Sequence, residues 1–159
     1  MDLSCEFESD SMENWMELKL PASAENLGLA RVTVAAFASA GLDFTLEEVE
    51  EIKVAVSEAV SNAVLHAYCD KQGEVCIFAQ LNENFLTVTI SDNGVGIKDI
   101  DEARQASFTT LSDRMGLGFT FMESFVDELK IESDPHEGTI VTMKKRPAVE
   151  YQDSSLGES

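Results

Sequence analysis

The order of hydrophobic periodicities along the chain predicts an α+β fold. It is a two-layer α/β sandwich with helices on one face of a largely antiparallel, mixed sheet. Two observations carry this. Residues 51–68, EIKVAVSEAVSNAVLHAY, contain no Gly or Pro, and Ile52, Val56, Ala59, Val60, Ala63 and Val64 recur at helical spacing. Elsewhere apolar residues alternate at period two, as in Val75, Ile77, Ala79, Leu81 and again in Leu86, Val88, Ile90. Read in order, the elements are strand, two helices, two strands, loop, helix and two strands.

Each element has a local cause. Residues 1–14 are acidic and aperiodic, which predicts a disordered head. In residues 15–20, Met16, Leu18 and Leu20 share one face of a first strand, which Pro21 closes. Ser23 is placed to cap a helix whose apolar face is Leu27, Ala30, Val34 and Phe37 and which ends at Gly41. Thr45, followed three residues later by Glu48, has the form of a capping box and starts the central helix. Residues 82–84 read as a hairpin turn, residues 99–113 as a mobile loop, and residues 117–125 as a further helix. Strands near 129–132 and 139–144 follow, around a turn at Gly138. The expected organisation is one domain over 15–146, with a polar, flexible tail over 147–159.

Composition narrows the function classes. A chain of 159 residues with 44% hydrophobic and 26% charged content is that of a globular protein with one core. Its net charge of −19 argues against direct contact with nucleic acid, whose phosphates it would repel. Residues 1–18 carry six acidic and no basic side chains, unlike a signal or transit peptide. No apolar run has the length of a membrane span. Cys5, Cys69 and Cys76 are odd in number and lack close ligand spacing, so a reducing cytoplasm is expected, without disulfide or zinc.

Three motifs suggest chemistry. Glu58 and Asn62, four residues apart, point to one side of the central helix, where they need water or a polar ligand. A plain solvent-facing pair is the alternative. Asp92 sits at a strand tip before Asn93-Gly94-Val95-Gly96. A carboxylate there can accept from an exocyclic amine, and the glycines let backbone approach a ligand. Asp-Asn-Gly is equally ordinary turn chemistry. Gly116 and Gly118 stand at a helix start, where N–H groups can seat phosphate or merely make a junction.

Taken jointly, Glu58-x-x-x-Asn62, Asp92-x-Gly94-x-Gly96, Gly116-x-Gly118 and Gly138-Thr139 resemble the hallmarks of one ATP-binding domain. It is the domain shared by gyrases, Hsp90, histidine kinases and MutL. The stretches VSEAVSNAVLHAY, ISDNGVGI, DEARQASFTT and RMGLGFTFME further resemble the serine-kinase anti-sigma factors of spore-forming bacteria, over residues 16–146. The short loop between the glycine motifs favours the sporulation type over the stress-response type that acts on sigma B.

The resemblance implies a homodimer that binds ATP and Mg²⁺ and sequesters a sporulation sigma factor, sigma F. It also implies phosphorylation of a serine on an anti-anti-sigma antagonist. Glu58 would be the general base, Asn62 the Mg²⁺ ligand, and Asp92, supported by Thr139, the reader of adenine. Gly94, Gly96, Gly116 and Gly118 would admit the nucleotide, and residues 98–115 would form a lid. Arg114 would reach the γ-phosphate or remain a solvated loop arginine. Arg31 would meet the partner proteins or be an ordinary helix arginine. His66 reads as structural or lid-contacting rather than catalytic. Two other classes stay open. A histidine-kinase catalytic domain is disfavoured because the only histidines are His66 and His136, with no dimerisation helix to carry a phosphoacceptor. A nucleotide-binding module without kinase activity is disfavoured by Glu58.

Overall fold

The computed structural model describes residues 14–68, 72–82, 84–97, 99–100 and 114–148. Residues 1–13 of the expected acidic head, most of the expected lid and residues 149–159 of the tail lie outside these residues, as do Cys5 and Cys69; Asn14 belongs to the first strand rather than to the head.

Among the described residues five strands form one sheet: β1 Asn14–Pro21, β2 Glu74–Leu81, β3 Leu86–Asp92, β4 Glu128–Asp134 and β5 Gly138–Lys145, in the order β1-β2-β3-β5-β4. All four pairings are antiparallel, so no parallel component of the expected mixed sheet enters among the described residues. Among the described residues three helices cover one face: α1 Leu27–Gly41, α2 Leu46–Asn62 and α3 Arg114–Phe125, with α2 packed between the other two.

The period-two pattern explains how the layers meet. Cross-strand pairing aligns Met16, Ala79, Val88, Met143 and Leu129 in one row. Leu18, Ile77, Ile90, Val141 and Ile131 form the next. Both rows face the helices and pack with Ile52, Val56, Ala59 and Val60 of α2 in the core. The third row runs Leu20, Val75, Asp92, Thr139, Ser133. Because alternate residues of a strand share a face, these three polar side chains continue the apolar rows at the end of the sheet.

The capping box at α2 is as expected: Glu48 N–H donates to Thr45 Oγ1 at 3.2 Å, and Thr45 N–H to Glu48 Oε2 at 2.8 Å. At the same end of α2, largely buried Lys145 joins β5 to α2 and α3. Its Nζ lies 2.8 Å from Glu51 Oε2 and donates to the Phe125 carbonyl at 2.6 Å.

Several local expectations change. Ser23 does not cap α1; its hydroxyl donates to Glu25, and a 3-10 turn, Ala24–Asn26, intervenes. Asn26 precedes α1 but turns its amide back to the Pro21 carbonyl, 2.9 Å away. The central helix does not stay α-helical to Tyr68: after Asn62 it passes into a π-helical turn, Ala63–Ala67. The third helix starts at Arg114, three residues earlier than the periodicity suggests, which places Gly116 and Gly118 inside it. The last hairpin turns at residues 135–137, with His136 at φ 72°, and Gly138 is already the first residue of β5.

Candidate functional site

The polar end of the third row opens into a pocket walled by α2, β3, the loop after it, α3 and β5. Ile90, Val141 and Phe119 supply apolar walls, with Ala59, Ala67 and Ile97. Asn62, His66, Asp92 and Thr139 supply polar groups, and Gly96 a stretch of bare backbone. The sequence-predicted residues Asn62, Asp92, Gly96 and Thr139 therefore line one space, although they come from α2, β3, its following loop and β5.

Asp92 is 9% exposed. Its Oδ1 accepts the Gly94 N–H at 2.9 Å. Burial holds its carboxyl above the usual range, against the opposing pull of the Gly94 and Thr139 backbone N–H groups. A desolvated carboxylate kept at a cavity wall is a strong acceptor for a ligand N–H.

At the other end, Asn62 Nδ2 is buried and has no hydrogen-bond partner among the described residues. An amide left so costs roughly 1–3 kcal/mol, which a polar ligand would recover. Glu58 lies one helical turn before it. A methyl group on Gly118 would stand 2.8 Å from Glu58 Oε2 and 3.8 Å from Asn62 Nδ2, so α3 passes close to this pair and a side chain there would displace the Glu58 carboxylate. The described residues gather no group of three His, Cys, Asp or Glu side chains able to hold a metal. A cation would rest on the Asn62 amide oxygen, water and the oxygens of its own ligand, the arrangement Mg²⁺ commonly adopts. The Asn62 carboxamide can supply that oxygen, while its unpaired Nδ2 would donate to an acceptor oxygen of the ligand. Burial holds His66 below its usual value, which favours a neutral imidazole in the cavity wall.

Glu58, Gly94, Gly118 and Arg31 are not among the residues that line this space. Gly94 is buried behind it, where a Cβ would collide with the Ala67 carbonyl, so packing on the π turn is what requires glycine there. Gly96, which does line it, has φ 72°, a conformation glycine tolerates best, and a Cβ would strike the Asp134 carbonyl. Gly116 lies in the first turn of α3, which Arg114 opens. Arg31 is elsewhere, exposed on α1 beside Leu29 and Val32, which are 51% and 55% exposed.

Two residues that the motifs do not include hold the loop after Asp92. Tyr68, at the exit of the π turn, donates its hydroxyl to the Glu74 carbonyl at 2.5 Å and accepts the Asn93 N–H at 3.0 Å. Ser133 accepts the Ile97 N–H at 2.7 Å. Backbone bonds complete the fixation: Val95 N–H to Ala67 O and His136 N–H to Val95 O, both 2.7 Å. The sequence signal for Ser133 is slight. It lies two residues beyond Ile131 in the alternation of β4.

Comparison with known proteins adds to this geometry. Residues 20–145 match the model of the histidine kinase-like ATPase domain. The chain is 49% identical over 140 residues to the anti-sigma F factor of Clostridium acetobutylicum, covering 87% of this chain and 97% of that one. It is likewise 49% identical over 140 residues to the anti-sigma F factor of Geobacillus thermodenitrificans, covering 86% and 95%. Among solved structures, the histidine kinase domain of the Erythrobacter litoralis EL346 blue-light activated kinase superposes with a TM-score of 0.53 at 22% identity. That match covers 76% of this chain and 60% of that one, a likeness of fold.

Proposed function

The chain belongs to the anti-sigma F factor family and carries its histidine kinase-like ATPase domain, and from that premise we propose an ATP- and Mg²⁺-dependent protein-serine kinase that also sequesters a sigma factor. The observation that carries the enzymatic part is the shared cavity. A buried carboxylate acceptor, Asp92, closes one end, and an unsatisfied carboxamide, Asn62, with Glu58 one turn away, marks the other.

In this reading the adenine amino group donates to Asp92, and the base lies against Ile90, Val141 and Phe119. Asn62 would hold Mg²⁺, which when bound would neutralise phosphate charge. Glu58 takes the proton of a substrate serine as its oxygen forms a bond to the γ-phosphorus. The bond from that phosphorus to the bridging oxygen breaks, and ADP leaves with the electron pair. Such transfer depends chiefly on positioning and charge neutralisation, and a positioned base contributes roughly 10²–10⁴-fold. Gly118 supports the assignment because it gives Glu58 room beside the phosphate end. Arg114 at the start of α3 is assigned to the γ-phosphate.

The partners proposed are the sporulation sigma factor sigma F and an anti-anti-sigma protein, the latter being the phosphorylated substrate. A homodimer in the cytoplasm is the proposed working form. No helix among the described residues is long and apolar enough to cross a membrane. Arg31 is assigned to partner recognition; its exposed position with Leu29 and Val32 has the mixed character of an interaction hot spot. The test is incubation with labelled ATP and the anti-anti-sigma protein, followed by mapping of the modified residue. Label on a single serine supports the proposal, and no transfer to that protein overturns it.

A further inference from the structure

Ser133 lies opposite Thr139 across β4 and β5, and Asp92 lies opposite Thr139 across β3 and β5. The Ser133 hydroxyl has three neighbours. It accepts from Ile97 N–H at 2.7 Å, it contacts the Gly138 carbonyl at 3.0 Å, and it contacts Thr139 Oγ1 at 2.9 Å. A serine hydroxyl has one proton and two lone pairs. A carbonyl oxygen can only accept, so the Ser133 proton goes to Gly138. The contact with Thr139 must then take its proton from Thr139. With that proton held away, the Thr139 hydroxyl offers the cavity lone pairs alone, and the neighbouring Asp92 carboxylate is an acceptor as well.

We propose that Ser133 is a specificity-determining positioning residue: by holding the Thr139 proton, it makes the Asp92 end of the cavity acceptor-only. Such an end takes a purine with a 6-amino group, which donates, and rejects one with a 6-oxo group, which accepts. Ser133 itself touches no ligand in this scheme and acts through Thr139. The inference rests on the nucleotide reading given above and adds the device that sets base choice.

The probe pair is ATP and inosine triphosphate, which differ at the purine 6-position, amino against oxo, and at N1, a bare acceptor against an N–H, measured by calorimetry on the full chain. In Ser133→Ala the Thr139 hydroxyl is released to turn its proton toward a 6-oxo group. The ATP-to-ITP affinity ratio should narrow by about three- to tenfold, the worth of one net hydrogen bond. Ser133→Cys, which fills the same space with a weak acceptor, should narrow it in the same direction. In a Thr139→Val background, Ser133→Ala should leave the ratio unchanged. Equal loss of both nucleotides in Ser133→Ala and Ser133→Cys would make Ser133 merely an anchor for Ile97 and overturn the inference alone. Failure of the unmutated protein to bind ATP would overturn the nucleotide reading and the inference with it.

Discussion

Glu58 and Gly118 are in such close approach that a single methyl group on the glycine would come within 2.8 Å of the Glu58 carboxylate oxygen Oε2. The two residues are 60 apart in sequence and lie on neighbouring helices, α2 and α3. Two predictions follow from this pair, and two more from Asp92 and Arg31.

Gly118→Ala sets helix propensity against the site. In a helix interior alanine is favoured over glycine by roughly 0.8–1 kcal/mol, and the atom in its way is the flexible end of Glu58. The thermal midpoint should therefore hold or rise. Displacement of the carboxylate should lower serine phosphorylation by about tenfold or more, with a smaller effect on ATP affinity. Melting curves alongside a transfer assay check both parts; unchanged transfer would mean that Glu58 tolerates the shift.

Glu58→Gln separates binding from chemistry. The amide keeps the shape and the polar contacts but cannot take a proton. ATP affinity should stay close to that of the unmutated protein while transfer falls by about 10²-fold or more. A normal transfer rate would assign the base elsewhere.

Asp92→Asn exchanges an acceptor for a group that also donates. ATP affinity should fall by roughly 1.5–3 kcal/mol, the worth of a hydrogen bond to a charged group. Stability should move the other way. Burial raises the Asp92 carboxyl above its ordinary range, so between the unfolded and folded values the native state binds the proton more readily. Stability from this group is then gained as pH falls through the folded value and absent at neutral pH. The ligand-free variant should melt at a higher temperature than the parent at pH 7. In the parent, ATP affinity should begin to weaken at a pH above that of an ordinary carboxylate, and the variant should lose that dependence. Calorimetry across pH and melting at pH 7 would show either pattern.

Arg31→Ala tests the partner surface. The arginine is exposed on α1, apart from the cavity lining, and its planar guanidinium suits bidentate contact with a carboxylate. Complexes with the sigma factor and with the anti-anti-sigma protein should each weaken by about 2 kcal/mol or more if it anchors both. ATP binding should be unaffected. Unchanged affinity for both partners would leave Arg31 a solvated helix residue.

The sequence by itself determined what local periodicity and turn chemistry can specify. The apolar spacing of 51–68 gave the central helix, Thr45 and Glu48 gave its cap, and alternation gave strands whose inward rows end on Asp92 and Thr139. Glu58 and Asn62 were legible as a pair because four residues make one helical turn. Only the tertiary structure decided which distant residues meet. That β5 inserts between β3 and β4 is a matter of non-local pairing, and local propensity carries no information about a partner strand. This insertion alone brings Ser133 beside Thr139 and Thr139 beside Asp92. Gly94 shows the same division. Its motif suggested ligand access, whereas the Ala67 carbonyl, 27 residues away, is what leaves no room for a side chain. Tyr68 could not be assigned from its neighbours either, because its hydroxyl is engaged by Glu74 and Asn93, backbone groups brought together by the fold.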